Sequence, residues 1–189
     1  MKLTYRSIST GINQRWVHYT GNRRWQAVIK EVNQTPLTTD DRRPVIFFNA
    51  STRLQAMSQN AAYSLLTALA VRLAGVPVIQ FACNSGLQRC VLGSNRDDFS
   101  KPPPCERCTR QSRAVFRDMD TRWFEQRNYP ELERALAGMS LEEMQTFEYQ
   151  DAPLGFWALN SLRWVLRRHT LLENEQNRSF MRSFILSAW

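Results

Sequence analysis

The chain has 189 residues, 43% of them apolar, and a formal net charge of +8. That is enough length and apolar content for a domain with its own core, and it excludes a disordered chain. No apolar run reaches the length that a membrane-spanning helix needs.

The basic residues are lopsided, 22 Arg against 3 Lys. Arginine's planar fork suits phosphate, carboxylate and anionic lipid headgroups. Scattered arginines are also what an ordinary solvated surface carries, and here they form no single run. No basic–aromatic nucleic-acid signature appears, so nucleic acid is the disfavoured partner. The N-terminus, MKLTYRSISTG, lacks the apolar stretch of a secretory signal. A reducing cytoplasm is the expected compartment, with an anionic membrane surface as a further partner that the arginines admit.

Residues 1–12 read as an irregular or extended lead. Over 13–33, Trp16, Val17, Trp25, Val28, Ile29 and Val32 recur at near-helical intervals. One or two short helices are predicted, with a break near Gly21-Asn22. A polar connector, QTPLTTDDRR, follows. The bounded apolar run from Pro44 to Phe48 predicts a buried parallel strand. Asn49–Arg53 is then a polar loop. Ser58 is placed to cap a helix from about Gln59 to Ala74, and Gly75 to stop it. A second buried strand is predicted from Val76 to Phe81. Strand, helix, glycine and strand in that order make a parallel βαβ unit.

Ligand-binding loops of open parallel sheets lie at the carboxyl edge of the strands. Asn49, Ser51, Arg53, Gln59 and Asn60 concentrate polar groups there. Backbone N–H groups at the helix start would receive an anion beside Arg53. Ordinary capping and loop solvation explain the same residues equally well.

All four cysteines follow the second strand, spaced C-x6-C-x14-C-x2-C at Cys83, Cys90, Cys105 and Cys108. Two thiolate pairs on separate loops complete a tetrahedral metal shell, and zinc is the usual occupant of such closed structural sites. An iron–sulfur cluster is the rival, since four thiolates also suit it. Inert buried thiols, two disulfides and a redox-active Cys105/Cys108 pair are the other readings. The first gap is wider than in common zinc knuckles. Pro102-Pro103-Pro104 stiffens the approach to Cys105. Asp97-Asp98 is adjacent rather than spaced as D-x-D. It would hold a sugar hydroxyl or simply be solvated.

Beyond Cys108 the pattern is helical. Residues 109–137 read as helices with Trp123, Phe124 and Leu132 as core candidates and a break near Asn128-Tyr129-Pro130. Ser140-Leu141-Glu142-Glu143 is a capping box. Leu154–Leu172 is a further helix, and Asn177–Trp189 ends the chain in helical rhythm. A chain that stops within an apolar helix is expected to be a fragment of something longer, or to offer an interface to another chain. The predicted layout is therefore a helical lead and connector (1–43), a Rossmann-like βαβ core with a four-cysteine knuckle (44–108) and a helical region (109–189). Together they are one α/β domain.

The runs VIFFNASTR, SQNAAYSLLTALAVRLAGVPVIQFAC, GLQRCVLGSNRDD and KPPPCERC resemble the amino-terminal region of bacterial capsule-polysaccharide glycosyltransferase-like proteins. APLGFWALNSLRWVLRRHTL is similar to a helical segment downstream in that region. The resemblance spans about Arg43–Leu172. It implies half of a GT-B enzyme, in which two Rossmann-like domains face across a cleft. It brings a glycan or lipid-linked acceptor and a nucleotide-activated sugar donor of polysaccharide biosynthesis; the expected location is cytoplasmic, with a peripheral place at the inner membrane as the further option. It assigns no catalytic residue, and a zinc-stabilised, arginine-rich nucleic-acid-binding protein, or an iron–sulfur or redox protein, is the alternative reading. The donor-binding half is expected on a missing second domain or partner chain, so this chain alone is expected not to turn over.

Overall fold

A computed structural model of the chain describes residues 21–38, 43–50, 57–98 and 100–189. The chain divides into two compact units. One comprises the described part of Met1–Cys83 with Glu106–Trp123. The other comprises the described part of Asn84–Cys105 with Phe124–Trp189.

In the first unit, helix α1 (21–33) precedes strand β1 (Val45–Asn49), helix α2 (Gln59–Leu73) and strand β2 (Val78–Cys83). The βαβ order is the predicted one, and its punctuation acts as expected. Ser58 Oγ accepts from the Ala61 N–H at 3.2 Å. Gly75 has φ +77°, and the Val76 N–H returns 3.3 Å to the Val71 carbonyl, which closes the helix end. A Cβ at Gly75 would press on the Thr38 side chain, so both the backbone and the space require glycine.

β1 runs parallel to β2, from Val45 opposite Val78 to Asn49 opposite Ala82. Helix α3 (Cys105–Val115) follows the cysteine segment and leads to β3 (Thr121–Phe124). The three strands lie in the order β1-β2-β3. Gln80 N–H to the Asp120 carbonyl and Asn84 N–H to the Phe124 carbonyl, both at 2.9 Å, carry the second pairing. Helices were predicted across 109–137, whereas Thr121–Phe124 is a strand. After the turn at Phe116–Met119, a short Thr-Arg-Trp-Phe run has the β-branched and aromatic character of a strand and a parallel edge to join.

Ile29 and Val32 of α1, Leu65 and Leu69 of α2, Ala82 of β2, and Val115 and Phe116 at the end of α3 form one buried cluster. Gln26 fastens α1 to α3. Its Nε2 donates to the carbonyls of Ala114 and Val115 at 2.7 and 2.8 Å, satisfying acceptors that a helix end leaves open. β1 departs from the expected fully buried strand, since Ile46 and Phe48 are 63% and 62% exposed. Side chains alternate along a strand, β1 is an edge strand, and the buried cluster lies on the face of Ala82.

The second unit is helical, with α4 (Pro130–Ala135), α5 (Leu141–Gln145), α6 (Leu154–Leu166) and α7 (Glu175–Ala188). The predicted capping box is present: Ser140 Oγ accepts from the Glu143 N–H, and Glu143 accepts from the Ser140 N–H at 2.7 Å. That backbone bond, then the Ser140 hydroxyl, hold the Glu143 carboxyl below the ordinary glutamate range. Helix α6 stops at Leu166, short of the expected Leu172. Arg167 adopts a left-handed conformation at φ 57°, and the N–H of Arg168 bonds back to the Arg163 carbonyl.

The core of this unit joins Leu132, Leu136, Leu141 and Met144 to Leu154, Leu162, Phe180, Met181 and Ile185. The apolar face of α7 is thus buried within its own unit. The segment 84–105 is fixed to α7. Ser187 Oγ accepts from the Arg89 N–H at 3.3 Å, and the Arg89 guanidinium lies 5.4 Å from the Phe180 ring centre. Gln176 donates to the Arg96 carbonyl at 3.1 Å.

Gly155 sits where α6 meets the end of α5. Its N–H bonds the Phe147 carbonyl at 2.8 Å. A Cβ there would lie 2.6 Å from Phe147 N and 2.8 Å from Gln145 C, both backbone atoms. Gly155→Ala should therefore cost about 1–3 kcal/mol by overpacking. Urea denaturation should show a lowered midpoint with helical content retained at zero denaturant. An unchanged midpoint would contradict the packing described.

Candidate functional site

The carboxyl edge of the β1–β2 pair is built from the ends of both strands and the start of α2. Asn49 is the last residue of β1 and only 7% exposed. Its Nδ2 donates to Gln80 Oε1 at 2.6 Å and to the Phe47 carbonyl at 3.3 Å. Gln80 is fully buried, and among the described residues its Nε2 has no hydrogen-bond partner. A buried amide donor without a partner is uncommon and costly. Gln59 and Asn60 stand exposed on the first turn of α2. Ser51 and Arg53 lie outside the described residues. Of the predicted polar cluster, then, Asn49 is committed to a buried amide pair, while Gln59 and Asn60 offer their amides to solvent. Gln80 was not anticipated; a polar residue midway along an apolar strand was its only signal.

The cysteines divide by unit. Cys83 ends β2 and Cys108 lies in α3, both in the first unit. Cys90 and Cys105 belong to the second. All four are thiols and partly buried. The Cys90 carbonyl accepts from the N–H groups of Gly93 and Ser94 at 3.0 and 2.8 Å, forming a tight turn. Gly93 rests against Pro103 and Pro104, where a Cβ would meet each ring at 3.3 Å. The proline run thus lies against the Cys90 turn, and Cys105 follows it at once, its N–H bonded to the Pro103 carbonyl at 2.8 Å. Cys105 and Cys108 sit one turn apart at the start of α3, on one helix face. Among the described residues, no group of three or more His, Cys, Asp or Glu side chains is placed to hold a metal ion.

Asp97 and Asp98 serve a local turn. Asp97 is highly exposed beside Arg96. Asp98 accepts from the Ser100 hydroxyl at 2.6 Å and pairs with Lys101 at 3.3 Å. These bonds, the Ser100 hydroxyl first, hold its carboxyl below the usual range.

The helical unit holds a cleft of about 610 Å³ between the start of α5, Arg163 of α6 and the loop from His169 to Glu173. Two of its charged groups, Arg163 and Glu173, are engaged. Arg163 Nε donates to the His169 carbonyl at 3.0 Å. Glu173 accepts from the Leu141 N–H at 2.8 Å and pairs with Arg178 at 3.1 Å. No local pattern announces this cleft, because Leu141 and Glu173 are distant in the chain. Among the described residues no helix is long and apolar enough to cross a membrane. No protein-family model, curated protein or solved structure matches the chain.

The Asn49–Gln80 pair yields a stability test. Gln80→Leu removes the acceptor of one Asn49 amide N–H, leaving only its bond to the Phe47 carbonyl, and should cost about 1–3 kcal/mol. Combined with Asn49→Ala, the loss should fall short of the sum of the two single losses by about 0.5 kcal/mol or more. Strictly additive losses in urea denaturation would show that the two amides do not act as a pair.

Proposed function

We propose that the chain is the acceptor-side part of a GT-B-like glycosyltransferase of polysaccharide biosynthesis, with a structural zinc bound by Cys83, Cys90, Cys105 and Cys108. The observation that carries this reading is the parallel β1–α2–β2 unit. It brings the end of β1, the exposed Gln59 and Asn60, and Cys83 to the carboxyl edge, where such sheets receive ligands. Primary amides both donate and accept, which suits the hydroxyls of a glycan or lipid-linked acceptor. In a GT-B enzyme the acceptor is oriented on one half, and the charge of the departing diphosphate is stabilised on the other. The described residues contain one parallel sheet. Orientation of the acceptor is therefore the task assigned here, with no catalytic residue.

The zinc assignment rests on the donor set and its supports. Cys105 and Cys108 share a helix face, and the Cys90 turn abuts the prolines that lead into Cys105. Four thiolates leave no open coordination position, so the metal's part is structural. The segment 84–104 contributes few large apolar side chains, chiefly Leu87, Val91 and Leu92 among its described residues. Metal binding would supply the closure that apolar burial does not, linking binding to local folding.

Protein purified without added zinc should carry one equivalent of the metal, with four thiols that react only after chelation. Cys105→Ser should lower metal content and speed hydrogen exchange over 83–108 more than in β1 and α2. Four freely reactive thiols without metal would end the zinc assignment, as would the visible absorbance of an iron–sulfur cluster.

Titration with acceptor oligosaccharides should shift the NMR signals of the Gln59 and Asn60 amides. Residues 1–189 alone should transfer no sugar from any nucleotide-sugar. Glycan titrations that leave these amides unmoved, or transfer by the purified chain, would overturn the acceptor-side reading.

A further inference from the structure

Helix α6 has two faces of opposite chemistry. Leu154, Ala158, Leu159, Leu162 and Val165 are buried in the core of the helical unit. Phe156, Trp157 and Trp164 face outward, at 58%, 47% and 46% exposure. At the turn of an α-helix, these three aromatics fall within an arc of about 100°. Exposed aromatics grouped on one helix face are a marker of an interaction surface.

Along α6 itself and the residues that follow it to Leu172, the charges have one sign. Arg163, Arg167 and Arg168 gather at the C-terminal end of the helix, and no acidic residue occurs from Leu154 to Leu172. The Arg167 guanidinium lies 4.7 Å from the centre of the Trp164 ring. That contact joins a cation to an exposed aromatic on the same patch. The whole chain carries a net charge of +8, so the long-range field favours an anionic partner.

We propose that this face of α6 docks on an anionic lipid surface. Phe156, Trp157 and Trp164 enter the interfacial layer, while Arg167 and Arg168 meet headgroup phosphates. The side-chain types favour lipid. Tryptophan settles at the headgroup level, and arginine keeps its charge in water while its stem lies along apolar surface. The shape favours lipid too. The outer side of a packed helix is convex and can lie along a plane, whereas a single-stranded nucleic acid is held in a groove that tracks its backbone. Apolar insertion and charge attraction together make the two signals that stable peripheral binding needs. This surface lies wholly on the helical unit and is independent of the glycosyltransferase assignment.

The test uses the full chain with two kinds of vesicle, pure phosphatidylcholine and phosphatidylcholine containing phosphatidylglycerol. Co-sedimentation should detect binding to the anionic vesicles alone, with a blue shift in tryptophan emission and loss of binding at high salt. Arg167→Gln and Arg168→Gln should each weaken binding about fivefold. Trp157→Ala with Trp164→Ala should abolish it. The corresponding Trp→Phe pair should keep most of it, which separates loss of contact from loss of fold. Arg110→Gln, at an exposed arginine of α3 paired with Glu106, should leave binding unchanged. Failure to bind anionic vesicles would overturn the proposal, as would an equal loss from Arg110→Gln. Capture of a single-stranded oligonucleotide through the same tryptophans, without vesicle binding, would overturn it in favour of nucleic acid.

Discussion

Parallel pairing is the constraint on which the rest of the first unit depends. Two parallel strands cannot be joined by a tight turn, so each connection must cross the length of the sheet. Between β1 and β2 that crossing is made by α2, with Ser58 and Gly75 fixing its ends. Between β2 and β3 it runs from Asn84 to Asp120 and contains three of the four cysteines and all of α3. Cys83 ends the strand at which this second crossing begins, and Cys105 opens the helix that brings it back. The cysteine segment is thus an insertion within a crossover, and its path is anchored at both ends by regular structure.

The polar contacts of this unit follow the same logic. Gln80 lies in the central strand, where its N–H bonds the Asp120 carbonyl at the entry to β3 and its side chain bonds Asn49 of β1. One residue therefore takes part in both strand pairings. Gln26 receives the end of the returning helix α3, and Asn33 donates to the Asp118 carbonyl in the turn before β3. A buried amide pair such as Asn49 and Gln80 contributes modestly when paired and costs more when one partner is lost. Such contacts specify the arrangement of the unit more than they stabilise it. The helical unit is organised differently, by a large apolar cluster to which α7 contributes four buried side chains, Phe180, Met181, Phe184 and Ile185.

Much of the βαβ unit was legible because its signals are local. An apolar run, an N-cap serine and a C-terminal glycine each act within a few residues. The capping box at Ser140 was legible for the same reason. What was not legible depends on distant partners. Thr121–Phe124 is too short and too charged nearby to announce a strand, and it becomes one by pairing with β2. The outward face of β1 could not be read from its uniformly apolar sequence, since its exposure depends on which side the helices pack. Arg167 ends α6 in a left-handed turn, although the residues after it continue an apolar and basic pattern. The polar cluster at the carboxyl edge was legible as composition, but not the commitment of Asn49 to Gln80. The cysteine spacing marked the segment, whereas its attachment to α7 through Arg89 and Gln176 required the folded chain.

Central to the proposed function is that four thiolates would bind zinc and so fix the cysteine segment within the crossover. X-ray absorption at the zinc edge on the purified chain tests it most directly. The predicted result is a single shell of four sulfur scatterers at about 2.3 Å. A shell with nitrogen or oxygen ligands, or protein with no zinc signal, would contradict it.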